Sequence, residues 1–376
     1  MDNKKTNQDF QNLFFEIKSA VKAIDRLLSY AVFCRASDIH CDPTLGGIAI
    51  RFRVDGVMTI MGMLSRDIHD EFIARLKILA TLRTDIHNIP QDGRWRACID
   101  NSFYNIRISI MPTYYGENAV LRLLPSKVHG DLSFTKLGFR SEHVALITGI
   151  LNRKNGLILV TGPTGSGKTT TLHTCLSQKV REPLSIISLE DPVEYEIAGV
   201  RQIHIDHNYG VTFASGLRSA LRQDPDVIMV GEIRDSETAK VAIHTALTGH
   251  LVLSTLHTNS ALETVPRLVD MGIDHYLLAS TLKLVISQRL IRIMCYNCES
   301  AGCIECKYSG YIGRSVIAEV LNIDSKMADL ISQKSPFQIL YEHAKTTNFV
   351  TIDDDAMEKV DWGVTTESEV MSVLYT

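Results

Sequence analysis

One stretch constrains this chain more than any other: the apolar run LILVT at 157–161 leads directly into Gly162-Pro163-Thr164-Gly165-Ser166-Gly167-Lys168-Thr169. The run is short and apolar throughout, as a strand buried on both faces has to be. The segment after it fits G-x-x-x-x-G-K-[ST], with a helix predicted from Lys168. Glycines let the backbone curl until its N–H groups converge, and the helix N-terminus adds positive potential at the same point. A strand, a glycine-rich turn and a helix in that order form a cradle for the phosphates of a nucleotide. Lys168 is expected to reach the β- and γ-phosphates of ATP, and Thr169 to ligate Mg²⁺. Residues 162–169, with Thr170, are the nucleotide-binding candidates.

The surroundings agree with that start. Strands predicted at 185–189, 227–230 and 251–255 alternate with helices from Lys168, near 213–222 and at 237–247. Such alternation implies a parallel sheet covered on both faces. The first part of the chain reads differently. Phe14, Ile17, Val21, Ile24 and Leu28 fall at helical spacing, and Ile48, Ile50, Phe52 and Val54 alternate with small or charged residues as in a half-buried strand. A helix with Phe72, Leu76 and Leu79 on one face follows, then a hairpin around Asp100-Asn101. The expected organisation is a helical segment at 1–30, a small α+β domain at 31–125, a polar linker at 126–140 and an α/β nucleotide-binding domain at 141–376.

Hydrolysis needs more than a cradle: water has to be placed and the transferring phosphoryl charge compensated. The apolar run at 227–230 ends in Gly231-Glu232, with a glycine where such folds usually carry a metal-supporting aspartate. Glu232 then sits where ligands gather in open α/β sheets, at the carboxyl end of a buried strand. Residues 185–189 run likewise into Glu190, Asp191 and Glu194. These carboxylates suit polarising water or holding Mg²⁺ through its water shell, Glu232 and Glu190 before the other two, which read equally well as solvated loop acids. His250 and His257 bracket the strand LVLST and are candidates for sensing the nucleotide. Arg218 and Arg222, four apart on a helix, fit a solvated face as well as a functional one.

Four of the eight cysteines are clustered as Cys295-x-x-Cys298-x₄-Cys303-x-x-Cys306. Two Cys-x-x-Cys knuckles complete a tetrahedral thiolate shell for Zn²⁺ and leave no open position, so the expected metal is structural. Lys and Arg number 39 against 43 Asp and Glu, a net charge of −4, which excludes a global basic field for nucleic acid. No apolar stretch approaches the ~20 residues that span a bilayer, so membrane association is expected through partners only.

Together these residues resemble the secretion ATPases of type II secretion and type IV pilus assembly. GPTGSGKTTTLH (162–173) resembles the family's Walker A segment, SLEDPVEYEI (188–197) its Asp box, LRQDPDVIMVGEIRDSETA (221–239) its Walker B, and TALTGHLVLSTLHTNSA (245–261) its His box. ASDIH (36–40), RFRVDGV (51–57), PQDGR (90–94) and IRISIMPTYYGENAVLRLL (106–124) match its smaller domain. The resemblance implies a RecA-like P-loop ATPase domain preceded by a smaller, PAS-like α+β domain. It implies a homohexameric motor, cytoplasmic and peripheral to the inner membrane, working on a platform protein of a pilus or secretion machine without direct contact to nucleic acid. Arg94 and Arg107 occupy the positions of arginines that close over nucleotide, with Arg122 a third candidate. The tetracysteine element resembles that of extension motors, although the spacer between its knuckles, 299–302, is shorter than in relatives. The additional amino-terminal docking domain of many relatives is expected to be missing. A retraction or conjugative traffic ATPase is the rival within the family, and a nucleic-acid translocase or a nucleotide-gated scaffold the rival outside it.

Overall fold

The computed structural model describes residues 19–126 and 132–375, and the chain divides into two units. The first comprises the described residues up to 126 together with the excursion Asn297–Gly310. Helix α1 (Ala20–Phe33) buries Ala20, Ala23, Ile24, Leu27, Leu28 and Ala31, a stripe with the three-to-four spacing of an amphipathic helix. Strands β1 (Ala36–Thr44), β2 (Gly47–Val54) and β3 (Val57–Leu64) lead to α2 (His69–Leu79), then β4 (Gln91–Ile99), β5 (Ser102–Thr113) and β6 (Gly116–Pro125). All six strands pair antiparallel in the order β3-β2-β1-β6-β5-β4. Hairpin turns with positive φ join β2 to β3 at Asp55-Gly56 and, as predicted, β4 to β5 at Asp100-Asn101. The two helices and the apolar side of the sheet share one core around Ile39, Phe52, Phe72, Ile106 and Leu121.

Within that unit Lys77 is completely buried, with Nζ 2.7 Å from Glu117 Oε1 and donating to Ile86 O at 2.6 Å. His87 Nδ1 meets the other carboxylate oxygen at 2.8 Å. Breaking a buried pair of this kind strands a charge and typically costs ~3–5 kcal/mol, so the loop before β4 is firmly tied to α2 and β6.

The second unit contains α3 (Phe134–Leu137), α4 (Ser141–Leu151), β7 (Gly156–Thr161), α5 (Lys168–Lys179), β8 (Ile186–Glu190), β9 (Arg201–His204), α6 (Phe213–Ala220), β10 (Val227–Val230), α7 (Ser236–Leu247) and β11 (Leu251–Leu256). It continues through α8 (Thr264–Asp270), α9 (His275–Thr281), β12 (Leu282–Met294), β13 (Tyr311–Asn322), α10 (Ser325–Ser332), α11 (Phe337–Thr346), α12 (Ile352–Asp361) and α13 (Glu367–Leu374). The sheet order is β13-β12-β7-β11-β10-β8-β9, parallel except for β13. Alternate residues of its strands enter two cores: Leu157, Leu159, Ile228 and Val252 on one face, Ile158, Val160, Met229 and Leu253 on the other. That period of two explains why the central runs are apolar throughout.

Three expected boundaries differ from the structure. The described part of the 1–30 segment is no separate element, because α1 contributes to the first core; residues 1–18 lie outside the described residues. In the expected linker, residues 127–131 also lie outside them, but Phe134 and Phe139 are buried against Ile147 and Leu172 of the second unit. Residues 297–310 of the cysteine-bearing segment group with the first unit, where Lys307 Nζ lies 3.3 Å from the centre of the Phe33 ring.

Candidate active site and metal centre

Strand β7 ends at Thr161, and the loop after it takes positive φ at Gly162 (142°), Gly165 (82°) and Gly167 (85°). Side-chain-bearing residues rarely adopt these angles. At Gly162 there is no room either, since a Cβ would stand 2.4 Å from Gln288 O. Lys168 Nζ donates to Gly162 O at 2.9 Å and Pro163 O at 3.0 Å, folding back over its own loop. Burial pushes its ammonium down to about 8; Glu232 opposes that fall and Arg289 adds to it. Thr169 is exposed, whereas Ser166 Oγ is buried with no protein partner among the described residues. Curled glycines, an unpartnered hydroxyl and a lysine resting on carbonyls fit a phosphate chain, with Thr169 open to the magnesium ion that accompanies it.

Glu232 follows β10 on the same side of the sheet. The segment carrying it is tied down on both sides: Ser254 Oγ donates to Val230 O and Thr255 Oγ1 to Gly231 O, both at 2.7 Å, and Gly231 N donates to Leu189 O at 2.8 Å. A Cβ at Gly231 would come within 3.1 Å of that Leu189 oxygen, which accounts for glycine in the place of an aspartate. Glu232 Oε2 forms an ion pair with Arg234, 2.7 Å from its Nε, and lies 3.8 Å from His257 Nε2. Burial, Lys168 and Arg234 all hold the His257 imidazole below its ordinary value. His257 thus joins the cradle.

His250 does not. The parallel register sets Leu256 beside Thr161 but Leu251 beside Gly156, so His250 lies at the amino end of the strand, where its Nδ1 meets Thr245 O at 3.1 Å. Glu190, expected to polarise water or hold Mg²⁺, is enclosed by side chains. It is 3% exposed, with Oε1 accepting from Ser188 Oγ (2.6 Å) and Gln202 Nε2 (2.9 Å), and Oε2 3.2 Å from His173 Nε2 on α5. Burial alone raises its carboxyl, but these three partners outweigh it and hold it below the ordinary range. Glu190 therefore ties β8 to the helix behind the phosphate loop. Asp191 stays at the surface, 3.7 Å from His207, and Arg218 pairs with Glu237 in solvent, the solvated reading of that helix face.

In the first unit the three arginines come together. Arg94 is the cross-strand partner of Arg107, and Arg107 of Arg122, so they stand in one row over β4, β5 and β6. Like charges directly opposite destabilise a sheet. The row ends at buried Asp38, whose Oδ1 accepts from Arg122 Nε at 2.9 Å while Ser37 Oγ donates to Oδ2 at 2.7 Å. Arg53 approaches the same carboxylate at 4.0 Å. Asp38 thus faces the guanidinium groups of Arg122 and Arg53, and Arg107 and Arg94 continue the row of cations across the sheet.

The Sγ atoms of Cys295, Cys298, Cys303 and Cys306 all lie within 4.8 Å of one another, and those of Cys298 and Cys306 are 3.7 Å apart. A tetrahedral ion with ~2.3 Å bonds to sulfur needs edges of ~3.8 Å. N–H groups of Gly302, Cys303 and Gly310 point at two of the sulfurs from 3.1–3.3 Å. Burial would raise the Cys306 thiol, but the N–H groups of Cys303 and Gly310 and its neighbouring cysteines bring it down to about 7. These donors favour thiolates, so the cluster fits a structural metal.

Residues 16–372 match the family described as Type II/IV secretion system protein. The chain belongs to that family. Type II secretion system protein E of Pseudomonas aeruginosa is 41% identical, over 94% of this chain and 75% of its own length. Type II secretion system ATPase E of Vibrio cholerae is 39% identical with the same coverage. Among solved structures, the pilus retraction motor PilT with bound ADP superposes with a TM-score of 0.67 at 29% identity, covering 93% of this chain and 96% of that one. This member of the type II/IV secretion family is an ATPase. Sequence reasoning passed over His173, Gln202, Asp38 and Gln288; for Gln288 there was a signal, a polar Ser287-Gln288 pair inside the apolar run LVISQRLI.

Proposed function

We propose that the protein is the motor of a homohexameric ring that assembles a type IV pilus or type II secretion pseudopilus, acting from the cytoplasmic face of the inner membrane on a platform protein. The observation that carries this is the meeting of Lys168 and Glu232 at the carboxyl ends of β7 and β10, the parallel strands on either side of β11, in an ATPase of the secretion family. Lys168 exchanges the carbonyls of Gly162 and Pro163 for phosphate oxygens. Thr169 would hold magnesium, which would supply charge compensation at the β- and γ-phosphates. Glu232 takes the proton of the attacking water, and Glu190 holds α5 in place through His173. Arg94 and Arg107 serve the transferring phosphoryl group, an anion that a row of guanidinium groups suits. The four cysteines hold zinc as a closed structural shell, and the antiparallel sheet with two helices supports the PAS-like reading of the first unit. No described helix is long and apolar enough to cross a membrane. The tetracysteine cluster favours assembly over retraction.

Glu232→Gln tests the chemistry. Turnover is expected to fall by about 10²–10⁴ with ADP binding retained, and an unchanged rate would remove Glu232 from this role. Deleting the gene tests the biology: loss of surface filaments supports assembly, whereas excess filaments would assign the chain to retraction.

A further inference from the structure

Gln288 is fully buried in β12, a strand that runs past the end of β7: Ser287 pairs with Thr161, so Gln288 stands beside the start of the phosphate loop. Its Nε2 donates to Ser166 O at 2.7 Å, and its Oε1 accepts from Thr171 Oγ1, on the first turn of α5, at 2.8 Å. A carbonyl can only accept, so Ser166 O fixes which end of the amide is the nitrogen. The same-face neighbours of Gln288 in the strand, Ile286 and Leu290, are apolar and pack in one buried cluster. A side chain that only filled this space would be apolar too, because burying an amide is costly unless it is hydrogen-bonded.

We infer that Gln288 is a positioning residue for nucleotide binding, holding the Ser166–Gly167 peptide so that Gly167 N–H faces the phosphates. In a planar trans peptide the C=O and N–H bonds point in opposite directions. Anchoring Ser166 O outward on Gln288 therefore turns the Gly167 N–H inward, to the helix N-terminus where the amide groups have no helical acceptor. Thr171 locks the amide that does this. A Cβ at Gly167 would lie 3.2 Å from Gln288 Nε2, so glycine and glutamine approach closely at this point. The loop arrives at the nucleotide with one peptide already oriented, and less ordering remains for binding to accomplish.

The inference rests on residues 162–169 being the phosphate cradle, and the test separates the two. Q288M keeps the volume and loses both hydrogen bonds; Q288E keeps the shape and sets an acceptor against Ser166 O. MgADP affinity by calorimetry and steady-state ATP hydrolysis are measured on the full chain. Both variants are expected to weaken ADP by about tenfold or more, to raise KM for ATP in proportion and to leave kcat within about threefold. T171V is expected to weaken ADP by about threefold alone and to add nothing to Q288M, because Thr171 acts through the glutamine. A merely structural glutamine would lower the melting temperature and the active fraction while leaving the affinity of the folded protein unchanged. ADP binding by Q288M within about twofold of the original overturns the inference, as does full additivity with T171V. Should Q288M not fold, T171V decides: unaltered ADP affinity overturns the inference. K168A is the control. If it too binds ADP normally, the cradle reading has failed; if it loses ADP while Q288M does not, only the role of Gln288 has.

Discussion

Nucleotide affinity should have a break near pH 8. Lys168 has to be charged to meet the phosphates, yet burial in the nucleotide-free protein lowers its ammonium from 10.5 to about 8. Below that value the lysine is ready; above it, binding has to take up a proton. The fraction charged falls from about 0.9 at pH 7 to about 0.1 at pH 9, so the Kd for MgADP should rise about tenfold over that interval, with one proton taken up per nucleotide at the upper end. The sign follows from the direction of the shift: a depressed lysine gives full affinity on the acid side and loses it as pH rises. An unburied lysine would place the break near 10.5 and leave this window flat. Calorimetry in two buffers of different ionisation enthalpy, at about pH 7, 8 and 9, measures affinity and proton uptake together. Glu232 opposes the fall, so E232Q should move the break to lower pH. A Kd constant from pH 7 to 9, or no proton uptake at pH 9, refutes the reasoning.

The remaining predictions concern the metal and the arginine row. Purified protein should carry one zinc per chain and C298S should lose it; less than half an equivalent in the unaltered protein counts against the site. Because binding of such a metal is coupled to local folding, stripping it should expose residues 295–310 to limited proteolysis while MgADP still binds. R94Q and R107Q should each lower kcat, by about 10³ if the arginine meets the transferring phosphoryl group, with ADP affinity held within about twofold. Unaltered kcat in both variants would make the row a structural feature of the sheet.

The nucleotide-binding half was legible where a single local rule decides the outcome. An apolar run without alternation, glycines before a lysine and a helix afterwards leave little choice, and β7, β8, β10 and β11 lie where periodicity put them. The strands that were missed have mixed patterns. In β1, ASDIHCDPT, the core face carries Ile39 and Cys41 but then a proline, and the other face carries Asp38, so the strand signal is weak; in β12, KLVISQRLIRIM reads equally well as a helix. The site was legible by residue type and less so by arrangement. Glu190 and Glu232 both follow apolar strands, and only the partners gathered from α5 and β9 show that one is enclosed and the other open at the cradle. His250 and His257 look alike until the register of β11 sends them to opposite ends of the sheet. The arginine row could not be read from spacing, because Arg94, Arg107 and Arg122 become neighbours only when three strands pair.

The pairing of β12 with β13 has a practical consequence. Their antiparallel register runs from Leu284–Asn322 out to Met294–Tyr311, and the cysteine-bearing residues hang from the far tip of that ladder. Chain added or removed at a hairpin tip leaves the register behind it untouched. The short spacer at 299–302 is therefore a natural insertion point, where a fluorescent reporter or an affinity tag can be grafted without displacing Gln288, paired with Ala318 well behind the tip of the ladder.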